Sequence, residues 1–298
     1  MVISQQILKK KFTFFASMPF IYLISYLPEK LFYGFADFVA FLLRDVFSYR
    51  KHIVLANLKA SFPAMSLAEV NRTMHAFYIN LADTLLESLR MRAISPVEIG
   101  QRFQIEGLEL LKKYLAEGRT VVAVTGHYAN WEWGGLAISA ALKENPVLLV
   151  YQPMSNQYHE KYFNSIRSRF GSTMVSVKNV LRELVANKHQ ATLMVMVADQ
   201  SPTHSEKNQP VQFLNQPTLF FNGPEKIVRR MNAVLMFAEI RRVSRGYYQV
   251  KLVPLVKDPV GIDENEITLA HVRRLEQMIQ NKPSDWLWSH RRWKLQQA

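Results

Sequence analysis

The sequence predicts an α/β fold: a mixed, mostly buried central sheet flanked by helices, with an N-terminal hydrophobic helical membrane anchor. Three observations predict it. Thr120–Thr125 (T-V-V-A-V-T) and Thr192–Ala198 (T-L-M-V-M-V-A) carry no charge and read as strands, the second apolar throughout, as in sheets covered on both faces. Helical patterns alternate with such runs along the middle of the chain, the order expected of a largely buried sheet. From Phe12 to Pro28 there is no charged side chain at all.

Taken in order, residues 1–11 are polar and basic and end in Lys9-Lys10-Lys11. The run Phe12–Pro28 that follows is at the short limit for a bilayer span, which needs about 17–25 residues. A second apolar run, Leu31–Leu43, is interrupted by Asp37. The first run can span the bilayer, both can lie in its interface, or both can be core helices. Aromatics and flanking cations favour the anchor. No small-residue cleavage site follows, so a signal peptide fits poorly. Residues 44–118 read as helical, with a capping pattern at Ser66-x-x-Glu69. Asp83 and Glu87, four apart, read as a solvated helix face. Then come a strand at Thr120–Thr125, a helix at Gly134–Lys143, a strand at Pro146–Tyr151, and helices at Asn156–Phe170 and Val180–Lys188. The strand Thr192–Ala198 ends at Asp199-Gln200. Gly223-Pro224 opens another helix. Ala233–Ile240 and Tyr247–Val256 read as strands joined tightly at Ser244–Gly246, and a last helix near Ile267–Gln280 stops before Pro283. No linker or repeat is visible, so the chain divides into a membrane-anchoring region, 1–45, and a catalytic domain, 46–298.

The composition narrows the chemistry. The chain has 298 residues, about half of them hydrophobic, and no cysteine. Disulfides, thiolate zinc sites and cysteine nucleophiles are excluded. A net charge of +13 favours anionic partners. Nucleic acid is not expected among them, because no finger, RNP or basic-helix motif is present. Neither H-E-x-x-H nor a P-loop occurs, and no metal or cofactor is expected.

The segment V121-V-A-V-T-G-H-Y-A-N-W-E-W-G-G135 holds the most chemistry. His127 follows a strand, at the edge where open α/β sheets bind ligands. Glu132 lies five residues on. The two side chains meet only if His127 is in the loop and Glu132 in the first helical turn. The carboxylate then fixes the imidazole tautomer and leaves the other nitrogen as a base. No serine or cysteine lies nearby in sequence, so the base would activate a substrate hydroxyl. The bland alternative is a satisfied loop histidine and a capping glutamate. Trp131 and Trp133 either wall an apolar site or wedge the helix onto the sheet, and the second is preferred. Arg167 and Arg169, in I-R-S-R-F-G, either bind phosphate or an acyl carbonyl, or are surface charges at a helix end. Asp199-Gln200 sits at another strand's C-terminal edge, as a site pair or as a turn cap.

The segment G-H-Y-A-N-W-E resembles the H-x4-D/E motif of the lysophospholipid acyltransferase superfamily. More closely, the chain is similar to the late acyltransferases of lipid A biosynthesis. The resemblance covers nearly the whole length, through A-N-L-K-A-S-F-P (Ala56–Pro63), I-R-S-R-F-G (Ile166–Gly171), A-D-Q-S-P (Ala198–Pro202) and W-L-W-S-H-R-R-W-K (Trp286–Lys294). It implies an enzyme at the cell inner membrane, facing the cytoplasm. Such an enzyme moves a fatty acyl chain from acyl carrier protein or coenzyme A to a hydroxyl of a phosphorylated lipid A precursor. It also implies His127 as catalytic base and Glu132 as its acidic partner, with Arg167 or Arg169, Asp199 and Gln200 at the substrate. Backbone N–H groups near Gly126, or an arginine, would hold the oxyanion. The family commonly has glycine within the stretch that here reads Q-S-P-T-H-S-E-K-N-Q-P (Gln200–Pro210). The shape of the substrate pocket depends on that departure. Another acceptor lipid, a thioesterase, or a non-catalytic basic membrane-binding protein remain alternatives.

Overall fold

The structure, a computed structural model, describes residues 2–187, 189–202 and 210–294. Two helices, α1 (Val2–Ser25) and α2 (Glu29–Phe41), lead through a short π-helical turn into α3 (Lys51–Ser61), α4 (Leu67–Arg90) and α5 (Pro96–Arg102). Then β1 (Phe103–Glu106), α6 (Leu108–Ala116), β2 (Val121–Thr125), α7 (Trp131–Ala141), β3 (Val147–Tyr151), α8 (Gln157–Arg167), β4 (Thr173–Ser176), α9 (Val180–Ala186) and β5 (Leu193–Val197) alternate. A small ribbon, β6 (Val211–Phe213) and β7 (Gln216–Thr218), precedes α10 (Gly223–Met231). The hairpin β8 (Val234–Ser244) and β9 (Tyr247–Val256) and the helix α11 (Glu266–Asn281) complete it.

Seven strands form one sheet in the order β1-β9-β8-β2-β5-β3-β4, parallel throughout except for the β8–β9 hairpin. Every residue of β2 is buried, which explains its lack of alternation. One register decides where the chemistry falls. Thr125 of β2 pairs with Val197 of β5. Residues two beyond each of these, His127 and Asp199, therefore emerge side by side at the carboxyl edge of the sheet.

Local signals explain the ends of several elements. Ser66 and Glu69 form the full capping box at the start of α4. Pro224 sits in the first turn of α10. Gly246, at φ +75, turns the β8–β9 hairpin, and any Cβ there would meet the Tyr33 hydroxyl at 2.2 Å. Three short pieces escape the sequence reading: β1 within a stretch taken as helical, β4, and the β6–β7 ribbon.

The central α/β sheet is as expected, but the membrane anchor is not. Among the described residues no helix is long and apolar enough to cross a membrane. The apolar run is broken where α1 stops at Ser25 and α2 starts at Glu29. Only Phe12–Ser25 of it is helical in α1, roughly 21 Å at 1.5 Å per residue against a hydrocarbon core of about 30 Å. The three lysines occupy the turn before it. Both helices pack on α4 instead, burying Ile24, Phe32, Tyr33 and Ala36 with Leu86.

Asp83 and Glu87 are fully buried, not solvated. Asp83 takes Arg242 and two nitrogens of Arg245, at 3.0 Å from Nε and 2.7 Å from Nη2. Glu87 accepts from Tyr33, Tyr248 and Asn130. Burial pushes its carboxyl up to about 7, against the lowering effect of the two tyrosine hydrogen bonds. A helix face that looks polar in sequence is here a polar seam between layers.

Candidate active site

The carboxyl edge of β2 and β5 carries a His–Asp pair. His127 Nδ1 lies 2.6 Å from Asp199 Oδ1. An ionised carboxylate only accepts, so Nδ1 carries the hydrogen and Nε2 is left with its lone pair. The His127 backbone N–H donates to Asp199 Oδ2 at 2.8 Å, and Trp286 Nε1–H donates to the same oxygen at 2.8 Å. Burial works against an ionised Asp199, but the adjacent imidazole and these three donors outweigh it and hold the carboxyl down to about 2. The Asp199 side chain is 3% exposed and that of His127 19%, so the pair offers solvent only the imidazole. Trp131 lies edge-on to that ring, with centroids 4.9 Å apart.

The expected His127–Glu132 contact is replaced by this pair. Glu132 is in the first turn of α7, as the five-residue separation requires, but it faces α8. Arg167 holds it in a two-pronged pair, Nε to Oε2 at 2.8 Å and Nη2 to Oε1 at 2.5 Å. Burial opposes the Arg167 charge, yet Glu132 more than offsets this and raises the guanidinium above its ordinary value. Arg169, the other candidate arginine, is spent on the fold. Its Nη1 donates to the carbonyls of Met91 and Ile94, bracing the turn after α4. Gln200 Nε2 lies 3.3 Å from His127 Nε2, at the position a substrate hydroxyl would take.

The chain between His127 and Glu132 is tightly held. Ala129 has φ +50, a left-handed conformation that costs a non-glycine residue about 1–2 kcal/mol. Its N–H donates to the Asp285 carbonyl, and its carbonyl accepts from Thr84. Asn130 caps α7 by accepting from Trp133 N at 2.8 Å. Trp133 is wholly buried and wedges the helix inward, donating to the Glu87 carbonyl. Trp131 turns the other way, toward the cleft. The N–H groups of His127, Tyr128 and Ala129 all have acceptors within the protein. Those three N–H groups are therefore already committed within the fold, and Arg167 is the arginine that lines the cleft beside His127.

The C-terminal tail is part of the site, a role its sequence does not announce. Tyr128 and Trp286 form an antiparallel bridge, and Leu287 N donates to the His127 carbonyl. Asn57, from the A-N-L-K-A-S-F-P stretch, donates to the Trp288 and His290 carbonyls, and Arg50 to that of Ser289. Burial pushes His290 down to about 4, so it stays neutral behind Asp199.

A cleft of about 610 Å³ opens at His127, Glu132, Arg167 and Gln200. Leu149, Val150, Met154, Met174 and Val177 give it an apolar wall. Ser201 also lines it, but its hydroxyl donates to the Arg292 carbonyl at 2.6 Å. The cleft thus combines a base whose Nε2 lone pair faces the Gln200 amide, a fixed cation and room for an apolar chain. Among the described residues, no group of three or more His, Cys, Asp or Glu side chains is placed to hold a metal. The Gln200–Pro210 departure falls mostly on residues 203–209, outside the described residues.

The family model described as bacterial lipid A biosynthesis acyltransferase matches residues 4–295. The lipid A biosynthesis palmitoleoyltransferase of Escherichia coli (strain K12) is 24% identical over 252 residues, covering 84% of this chain and 81% of that protein. A lipid A biosynthesis acyltransferase of Shigella flexneri is similar to the same extent. The lipid A biosynthesis lauroyltransferase of Escherichia coli (strain K12) is 23% identical over 277 residues, covering 92% and 89%. The protein is an acyltransferase, and it belongs to the bacterial lipid A biosynthesis acyltransferase family.

Proposed function

We propose that the protein moves a fatty acyl chain from an acyl thioester, carried by acyl carrier protein or coenzyme A, to a hydroxyl of a phosphorylated lipid A precursor. The observation that carries this reading is the His127–Asp199 pair, which holds the hydrogen on Nδ1 and presents Nε2, beside the Gln200 amide, at the mouth of an apolar cleft. Among the described residues, the cleft's serine is committed to Arg292 and does not serve as a nucleophile. The acceptor hydroxyl itself takes that part.

In this mechanism Nε2 of His127 removes the hydroxyl proton as the oxygen attacks the thioester carbonyl. Asp199 keeps the proton of Nδ1 in place and stabilises the imidazolium that forms. Charge develops on the carbonyl oxygen, where Arg167, held by Glu132, and the Gln200 amide supply donors. Glu132 then serves catalysis through Arg167. When the tetrahedral adduct collapses, the carbon–sulfur bond breaks and the thiolate takes the proton from His127. The acyl chain lies along Leu149, Val150, Met174 and Val177.

The acceptor lipid places the enzyme at the inner membrane, with the site reached from the cytoplasmic side. Exposed Phe12, Phe15, Phe20, Phe38 and Phe41 on α1 and α2, with the chain's basic balance, suit peripheral contact of the folded domain with an anionic surface. The same charge suits an acidic carrier protein.

The test is a transfer assay with both donors and several acceptor lipids, read by mass spectrometry. A lipid A precursor gaining one acyl chain is the expected result. Acylation of a different lipid alone would replace the acceptor, and free fatty acid released at the rate of thioester loss would make the protein a thioesterase.

A further inference from the structure

We infer that Glu87 is the positioning residue of the His127–Glu132 loop, acting through Asn130. Glu87 sits on α4, and both of its oxygens accept hydrogen bonds. Oε1 accepts from the Tyr33 hydroxyl at 2.8 Å. Oε2 accepts from the Tyr248 hydroxyl at 2.6 Å and from Asn130 Nδ2 at 2.7 Å. Three elements far apart in sequence (α2, β9 and the catalytic loop) therefore meet on one buried carboxylate.

The direction of the Asn130 amide is what makes Glu87 specific. Asn130 Oδ1 is occupied in capping α7, where it accepts from Trp133 N. Its NH2 must then point away from the helix, and it points at Glu87. A flipped amide would lose the cap. The cap fixes where α7 begins, and with it Trp131 against His127 and Glu132 against Arg167. One turn earlier on α4, Thr84 holds the carbonyl of the left-handed Ala129. The same helix so pins Ala129 and Asn130, the two middle residues of the arc from His127 to Glu132. Tyr33 extends the connection to α2, so the docking of that helix and the order of the site share a carboxylate. The His127–Asp199 pair alone does not specify this arc.

This rests on the acyl-transfer reading above. The test exchanges the polarity of the buried pair. Assayed above about pH 8, where Glu87 is ionised, Asn130→Asp keeps the cap but sets a second carboxylate against Glu87, and should lower kcat at least about tenfold with donor KM changed less than about threefold. Glu87→Gln loses the charge-assisted bond and should lower kcat a few-fold. In the double variant Glu87→Gln/Asn130→Asp, the Gln amide donates to the new carboxylate, and kcat should return to the level of Glu87→Gln alone. A double variant as poor as Asn130→Asp, or an Asn130→Asp protein as active as wild type, overturns the inference. If Asn130→Asp alone does not fold, the double variant carries the test: folded and active supports it, unfolded or inactive overturns it. Wild-type protein that transfers no acyl chain at all would instead remove the functional reading.

Discussion

Asp199→Asn isolates the central pair without changing its shape. The amide oxygen can still accept from Trp286 Nε1 and the His127 N–H. Its NH2, however, faces Nδ1 at the position now 2.6 Å away, where two donors would oppose each other. The imidazole is driven to the other tautomer, with its hydrogen on Nε2, where the base is needed. Losing a hydrogen bond to a charged group costs about 1.5–3 kcal/mol. Adding the wrong tautomer gives an expected fall in kcat of roughly 10²–10⁴. The assay is acyl transfer from a saturating thioester donor, with a thermal melt beside it. Stability should also lose its acid limb. Asp199 has a folded-state value near 2 against an ordinary 3.8, so its ionisation stabilises the fold at pH above about 4. That contribution, about 2 kcal/mol, is lost as pH falls from about 4 towards 2 in the wild type and is missing in the variant. A folded Asp199→Asn protein within about tenfold of wild-type kcat would refute the role given to this carboxylate.

Other substitutions separate the neighbours of that pair. Trp286→Phe keeps an aromatic ring beside Phe213, Trp288 and Trp293 but removes the donor to Asp199; kcat should fall about three- to tenfold and stability by about 1–2 kcal/mol, read by assay and denaturant melt. Glu132→Gln leaves Arg167 with one neutral acceptor; kcat should fall about ten- to a hundredfold, read by the same transfer assay. Arg169→Gln should lower stability by about 1–2 kcal/mol, through the Met91 and Ile94 carbonyls, and leave kcat of the folded protein within about twofold.

The sheet was legible because its inner strands are apolar on both faces. Val121–Thr125 and Leu193–Val197 are buried in parallel neighbours, and such runs stand out in a sequence. The four-residue β1 and β4 and the three-residue β6 and β7 carry too few residues to show a period. His127, Asp199 and Gln200 were legible as residues of a sheet edge, and Arg167 as a candidate at the end of a helix. Their partnerships were not. Glu132 is close to His127 in the chain, whereas Asp199 is 72 residues away. Only the strand order puts β5 beside β2, with β3 and β4 beyond it. The register Thr125–Val197 then levels His127 with Asp199, and no local pattern encodes that. Asp83 and Glu87 misled for a related reason. Their donors, Arg242, Arg245, Tyr248, Tyr33 and Asn130, arrive from other elements, so a buried seam reads as a charged face. The N-terminal run misled through its length: α1 ends at Ser25, three residues before the run does, and neither α1 nor α2 has an apolar part as long as a bilayer is thick.

The most direct measurement is a single turnover of acyl thioester on excess enzyme with acceptor lipid present, comparing wild type with His127→Ala. With His127 as the base, wild-type enzyme forms acylated lipid in step with thioester loss, and His127→Ala leaves both donor and acceptor untouched. Acylated lipid appearing at the wild-type rate in the His127→Ala protein would contradict it.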